Sequence, residues 1–191
     1  MELERTLRRI EKLAQMARLE LRNRFSRTSL LSEAGPVVSL TTYGKRAKTV
    51  YLAIESIGRG TALPSRLILW LDELDFFKDL PKQLRRLQAR GLEVRLCENL
   101  GPHKKYYPYV ESQDHFDLPL VTADDDILYP PGWLKGLVNG MRRYPGTIHC
   151  YRARVLALGS DGVAPYRRCI RGRTGRGWST GVGRARRTHA R

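Results

Sequence analysis

A chain of 191 residues can bury one sizeable core and is too short for two. Its net charge of +16 is carried by the ends: residues 1–48 hold 11 basic and 5 acidic side chains, residues 49–141 hold 11 and 13, and residues 142–191 hold 13 and 1. A slightly acidic middle argues against a nucleic-acid groove running across the folded domain, and no run nears the roughly 18–20 apolar residues that cross a bilayer.

Residues 1 to about 24 predict a helix. Leu3, Leu7, Ile10, Ala14, Ala17 and Leu21 recur at spacings of four and three, with Arg and Glu between them. Such a stripe can pack on the domain, pair with another helix, or lie on an anionic membrane, and Arg5, Arg8, Arg9, Arg18, Arg22 and Arg24 favour the last of these. Ser26 to Pro36 reads as a linker. A strand is expected over 37–41, then a loop through Tyr43 and Arg46, a helix over about 48–57, and a second strand over 66–71 that stops at Asp72-Glu73. Pro81 opens a helix running to Ala89. A third strand follows over 92–96, then a loop or irregular helix start over 99–108. The fourth strand is expected over 118–122, with a helix over 133–142 and a fifth strand over 147–152.

This alternation predicts an α/β protein: a Rossmann-like, mostly parallel sheet with helices on both faces, preceded by the amphipathic helix. The expected division is 1–35 for that helix and its linker, 36–170 for the nucleotide-binding domain, and 171–191 for an Arg- and Gly-rich tail. In such sheets ligands collect beyond the carboxyl ends of the strands. Three predicted strands end in polar residues there: Thr41-Thr42-Tyr43, Asp72-Glu73 and Asp124-Asp125-Asp126.

The triple aspartate is the strongest chemical signal. Three adjacent carboxylates repel one another unless a cation or a set of donors holds them. Mg²⁺ or Mn²⁺ takes one or two carboxylates and completes its shell with water and phosphate oxygens, so a nucleotide-diphosphate substrate is expected. Asp126 is the leading candidate for the metal. Asp124 either shares that ion or accepts hydrogen bonds from a ribose, and Asp125 is the alternative for the second role. Lys104 and Lys105 offer point charges for a phosphate, Lys45 and Arg46 offer the same after the first strand, and Tyr43 offers a face for a base. His103 is a weak candidate for a general base. The glycines between 172 and 183 lack the order of a phosphate loop. Cys97, Cys150 and Cys169 show no metal-ligand spacing and read as idle thiols of a reducing compartment. The amino end lacks the pattern of a signal peptide, so a cytoplasmic protein, peripheral on the inner membrane face through its first helix, is expected.

The segments Val38 to Arg46, Leu69-Trp70-Leu71-Asp72, Gly91-Leu92-Glu93, His103-Lys104-Lys105-Tyr106 and Thr122 to Pro130 resemble, in the same order, blocks of a group of bacterial glycosyltransferases. The resemblance covers roughly residues 36–183. It implies a GT-A fold with an Asp-x-Asp motif, here Asp124 and Asp126, holding Mn²⁺ or Mg²⁺ on the donor diphosphate. It further implies that Thr41, Tyr43, Arg46, Asp72, Lys105, Asp124 and Asp125 bind the donor. The activity implied is transfer of a sugar from a nucleotide-sugar to a polysaccharide or lipid-linked acceptor of the cell envelope or capsule, with no specific nucleic acid as partner. Trp178 to Gly183 resembles a block that family members continue into an apolar strand and a second acidic cluster, whereas here Arg184 to Arg191 follows. The expectation is a truncated or frame-shifted member that keeps the donor half, and no catalytic base is named. A non-catalytic nucleotide-sugar-binding remnant is the alternative, and a basic nucleic-acid-binding protein a more distant one.

Overall fold

The computed structural model describes residues 2–159, 162–163 and 170–171. They fall into two compact units, Met1–Leu134 and Lys135–Arg191. The first unit holds α1 (Glu2–Phe25), β1 (Val37–Thr41), α2 (Val50–Gly58), β2 (Arg66–Leu71), α3 (Leu74–Lys78), α4 (Lys82–Gln88), β3 (Leu92–Leu96), α5 (Tyr107–Glu111) and β4 (Leu120–Ala123). Two 3₁₀ turns, Gly44–Lys48 and Gly101–Lys105, follow β1 and β3. The helix α6 (Trp133–Arg143) begins where this unit ends.

The sheet is four-stranded in the order β3-β2-β1-β4, and every pairing is parallel. With its flanking helices this is the Rossmann-like α/β arrangement that the strand–helix alternation predicts. The chain lays down β1, β2 and β3 in one direction and then returns to place β4 on the free side of β1. That reversal puts a topological switch point between β1 and β4.

β1 is central, and all five of its residues are buried. Their alternation serves two faces. Val37 joins Ile68, Trp70 and Tyr109 in one cluster, with Cys97 and Leu120 packed against it. Val38, Leu40, Leu67 and Leu69, all fully buried, take the other register positions. Each such aliphatic side chain contributes about 1.5–3 kcal/mol by leaving water. Ser39 and Thr41 are the polar residues on the first face: Ser39 Oγ accepts the Trp70 Nε1–H at 3.0 Å, and Thr41 Oγ1 donates to the Trp70 carbonyl at 2.9 Å.

α1 packs on α2 and α4, but through a face other than the predicted stripe. Leu19 and Asn23 are the residues it buries, each 1% exposed, while Leu3, Leu7, Ile10, Ala14, Ala17 and Leu21 are all exposed. The docking is polar at its centre. Glu55 of α2 is fully buried and accepts from Arg90 Nη1 at 2.5 Å and Asn23 Nδ2 at 3.2 Å, with Arg22 Nε ion-paired 3.2 Å from its other oxygen. The Tyr51 hydroxyl donates to Glu20 beside this network.

The fourth strand begins two residues later than predicted and reaches Ala123. The fifth predicted strand, over 147–152, is absent, and irregular backbone with bends at Thr147 and Tyr151 fills that segment. Thr147 Oγ1 donates to the Tyr144 carbonyl at 2.6 Å and lies 2.8 Å from His149 Nε2. These local side-chain bonds offer the backbone an alternative to a ladder. In the second unit, β5 (Arg154–Val155) pairs antiparallel with β8 (Ile170–Arg171), and β6 (Leu158–Gly159) with β7 (Gly162–Val163). From residue 172 on, the expected tail lies outside the described residues, as do the Trp178 to Gly183 segment and Cys169. Among the described residues, no helix is long and apolar enough to cross a membrane.

Candidate functional site

A cavity of about 680 Å³ opens beyond the carboxyl ends of the strands. β1 contributes Thr41, with Tyr43 and Arg46 from the turn that follows. β2 contributes Asp72 and Glu73. The connection after β3 contributes Asn99, Gly101, Pro102, Lys104 and Lys105, and β4 contributes Asp124 and Asp125. All seven residues expected to bind a donor therefore line one cavity. Its position follows from the topology, because the ends of β1 and β4 flank the switch point.

Both rim turns open on a glycine in the left-handed region, Gly44 at φ 53° and Gly101 at φ 56°. A side chain there would strain the backbone. Each turn is also tied down at its first residue: Gly44 N–H donates to Glu73 Oε1 at 2.8 Å, and Gly101 N–H donates to Asn99 Oδ1 at 3.1 Å. The first turn brings Arg46, and the second Lys104 and Lys105, to the cavity wall, while Lys45 and Lys48 stay exposed outside it.

Donors of the protein itself hold the three adjacent acids, and the three acids differ. Asp125 is buried, accepting Thr42 Oγ1–H at 2.7 Å and facing Arg46 Nη1 at 3.3 Å. Asp124 is half-exposed and paired with the Lys105 ammonium. Asp126 is exposed, sits 3.4 Å from Arg46 Nη1, and is absent from the cavity wall. Arg46 thus bridges two neighbouring carboxylates, Asp125 first and Asp126 second in their effect on it, and both push its guanidinium pKa further up. It also lies over the Tyr43 ring, 5.6 Å from the centroid, which holds that exposed tyrosine at the rim.

Lys104 and Lys105 are adjacent yet do different work. Lys104 is buried and its Nζ lies 2.7 Å from Asp72 Oδ2, a pair in which both side chains are more than nine-tenths buried. The other oxygen, Asp72 Oδ1, is buried without a hydrogen-bond partner. It is an acceptor on the cavity wall able to take a donor from a ligand. Lys105 carries its charge to the opposite side, onto Asp124. A 3₁₀ turn advances about a third of a circle per residue, which separates the two side chains.

Sequence reasoning missed two supports. Thr42, buried at the end of β1, orients Asp125. Tyr129, also buried, accepts the Asp124 backbone N–H at 2.5 Å and faces the Asp124 carbonyl at 3.3 Å. Burial, the largest influence on it, pushes the Tyr129 phenol well up, so it stays neutral. Its own N–H donates to Ser56 Oγ at 2.8 Å, and its ring packs on Trp133 with centroids 4.2 Å apart. The backbone of Asp124 is thereby pinned to α2. The signal available in the sequence was the aromatic residue five positions after Asp124, which periodicity does not distinguish from core.

His103 stands apart from this cavity. Its Nδ1 is 2.6 Å from the Tyr106 hydroxyl, and it lines a separate cavity with Trp70, Arg95 and Tyr107. Cys97 and Cys150 are free thiols, and burial raises the Cys97 pKa, which suits the idle role expected of it. Among the described residues, no three His, Cys, Asp or Glu side chains gather as a ready-made metal centre. Asp124 and Asp126 nonetheless present two half-open carboxylates, 48% and 53% exposed. That fits the one or two carboxylates Mg²⁺ takes alongside phosphate oxygens. Asp125, sequestered by Thr42 and Arg46, does not fit as a ligand.

Comparison of the chain with protein-family models and with curated proteins found no match.

Proposed function

We propose that the protein binds a nucleoside-diphosphate sugar in this cavity and transfers the sugar to an acceptor hydroxyl, with Mg²⁺ or Mn²⁺ as cofactor. The observation that carries the reading is the meeting of Lys105 and Arg46 with Asp72, Asp124 and Asp125 in one cavity at the carboxyl ends of parallel strands. A diphosphate needs positive charge and oriented donors, and a base with a ribose needs buried acceptors. Lys105 and Arg46 supply the first. Asp72 Oδ1 and Asp125 supply the second, and Tyr43 offers a ring at the rim. Asp124 and Asp126 would hold the divalent ion, which when bound offsets the charge developing on the leaving diphosphate. Tyr129 keeps Asp124 in register, and Thr42 keeps Asp125 turned inward.

Binding without turnover is a second reading with an observation of its own. Each carboxylate on the cavity wall has a partner: Asp72 has Lys104, Glu73 has the Gly44 amide, Asp124 has Lys105, and Asp125 has Thr42 and Arg46. A general base needs a carboxylate within reach of the acceptor proton.

Calorimetry with a panel of uridine and guanosine diphosphate sugars, with and without Mn²⁺, tests the first reading. Metal-dependent binding that falls roughly tenfold or more in Asp124→Asn and Lys105→Ala is expected. Binding indifferent to metal and to both substitutions would sink it. Release of free nucleotide from a bound donor then separates transfer or hydrolysis from binding alone.

A further inference from the structure

The outward stripe of α1 has the arrangement of a coiled-coil seam. Leu3, Ile10 and Ala17 alternate with Leu7, Ala14 and Leu21 at spacings of four and three, a period of 3.5. Leu3 is 72% exposed, Leu7 51%, Ile10 56% and Leu21 57%. The residues that dock α1 to its own domain, Leu19 and Asn23, lie on the far side of the helix. Docking therefore orders the carboxyl-terminal half of α1 and leaves its apolar edge uncovered.

The charges beside that edge discriminate between occupants. An interfacial helix places its cations along the border of the apolar face, where they reach lipid phosphates. Here Arg5, Arg8, Arg9 and Lys12 stand on the opposite side from Leu3, Leu7 and Ile10 at about 100° per residue. Over the first half of the helix the border holds Glu4 and Glu11 on one flank and Glu2, Thr6 and Leu13 on the other, while Arg18, Glu20, Arg22 and Arg24 border the second half, where Arg22 is engaged with Glu55. Two acids in the first half of one flank suit a helix partner and repel an anionic surface.

We propose that the stripe pairs antiparallel with α1 of a second copy of this chain. In one register each layer is complementary. Leu3 meets Leu21 of the second copy, Leu7 meets Ala17, and Ile10 meets Ala14, so large side chains sit against small ones along most of the seam. The same register sets Glu4 against Arg18 of the second copy, twice by symmetry. It also brings Leu13, itself 57% exposed, onto its own counterpart at the two-fold axis. The single like-charge meeting is Glu11 with Glu11. A parallel pair would leave Ala14 and Ala17 each facing itself across a void and would match no ion pair.

Sedimentation equilibrium of the full chain at micromolar concentration tests this. A dimer is expected, and Leu7→Asp with Ile10→Asp should return it to a monomer that still unfolds cooperatively, as both residues are exposed within one copy. Glu4→Arg should raise the dissociation constant roughly three- to tenfold, and adding Arg18→Glu should restore it. Glu11→Gln should tighten the dimer. A monomeric intact chain overturns the proposal. So does a monomer that floats with phosphatidylserine-containing vesicles and loses that binding in the Leu7→Asp, Ile10→Asp variant. A dimer that the double charge swap fails to restore overturns the antiparallel register.

Discussion

Lys104 and Asp72 form a pair on the cavity wall in which neither charge has water to fall back on. Replacing Lys104 by Met leaves a buried carboxylate uncompensated. Equilibrium denaturation should show a loss of about 3–5 kcal/mol, whereas Lys105→Met, at the half-exposed neighbour, should cost under about 1 kcal/mol. The contrast between adjacent lysines checks the assignment of one to architecture and the other to ligand. Glu93 supplies a pH-dependent counterpart. Its carboxylate takes Arg66 through two bonds, at 2.7 and 2.8 Å. That hydrogen bonding, first among its influences, lowers its pKa from 4.5. A depressed carboxyl contributes stability that is present above its unfolded value and lost as pH falls through the folded one. Thermal unfolding of Glu93→Gln should therefore differ from the intact chain at neutral pH, and the gap should close below pH 4.5.

At the scale of elements, α1 is held by a polar clamp, and that explains both its docking and its misreading. Periodicity locates an apolar stripe without saying what covers it. The contact instead relies on Asn23, Arg22 and Arg90 around Glu55, residue types that pattern reading assigns to solvent. Glu55→Gln should loosen α1 and lower stability by about 3–5 kcal/mol, with new amide exchange in residues 15–25. The Tyr51 phenol, raised to about 12 by burial first and by its bond to Glu20 second, reports on the same contact. A raised pKa gives stability that is complete below the unfolded value of 10 and lost as pH rises through the folded one. Alkaline titration should thus free α1 over that interval, and Tyr51→Phe should remove the dependence. The strands were more legible. β1 and β2 follow apolar runs bounded by polar residues, because burial on both faces demands continuity there, whereas the edge strand β3 alternates Leu92, Val94 and Leu96 with Glu93 and Arg95. Over 147–152 the apolar content was thin, and Thr147 and His149 turned the backbone aside.

For the molecule as a whole, the parallel order β3-β2-β1-β4 explains why residues as distant as Thr42 and Asp125 meet. The sequence announced the acids, the lysines and the rim, since each stands just past an apolar run. It concealed Thr42 and Tyr129, whose roles depend on contacts across the fold, and it did not rank Asp124 against the buried Asp125. Thr42→Val should leave Asp125 short of a donor and reduce stability by about 1–3 kcal/mol, read by denaturant melts, with a parallel loss of nucleotide affinity. The pairing of Lys105 with Asp124 and of Arg46 with Asp126 has a thermodynamic corollary. An incoming polyanion that recruits those two cations strips two carboxylates of their neutralising partners. A divalent ion then finds electrostatic demand where there had been balance. Linkage makes the favour mutual, so each of the two guests should sharpen the protein's appetite for the other by an equal factor.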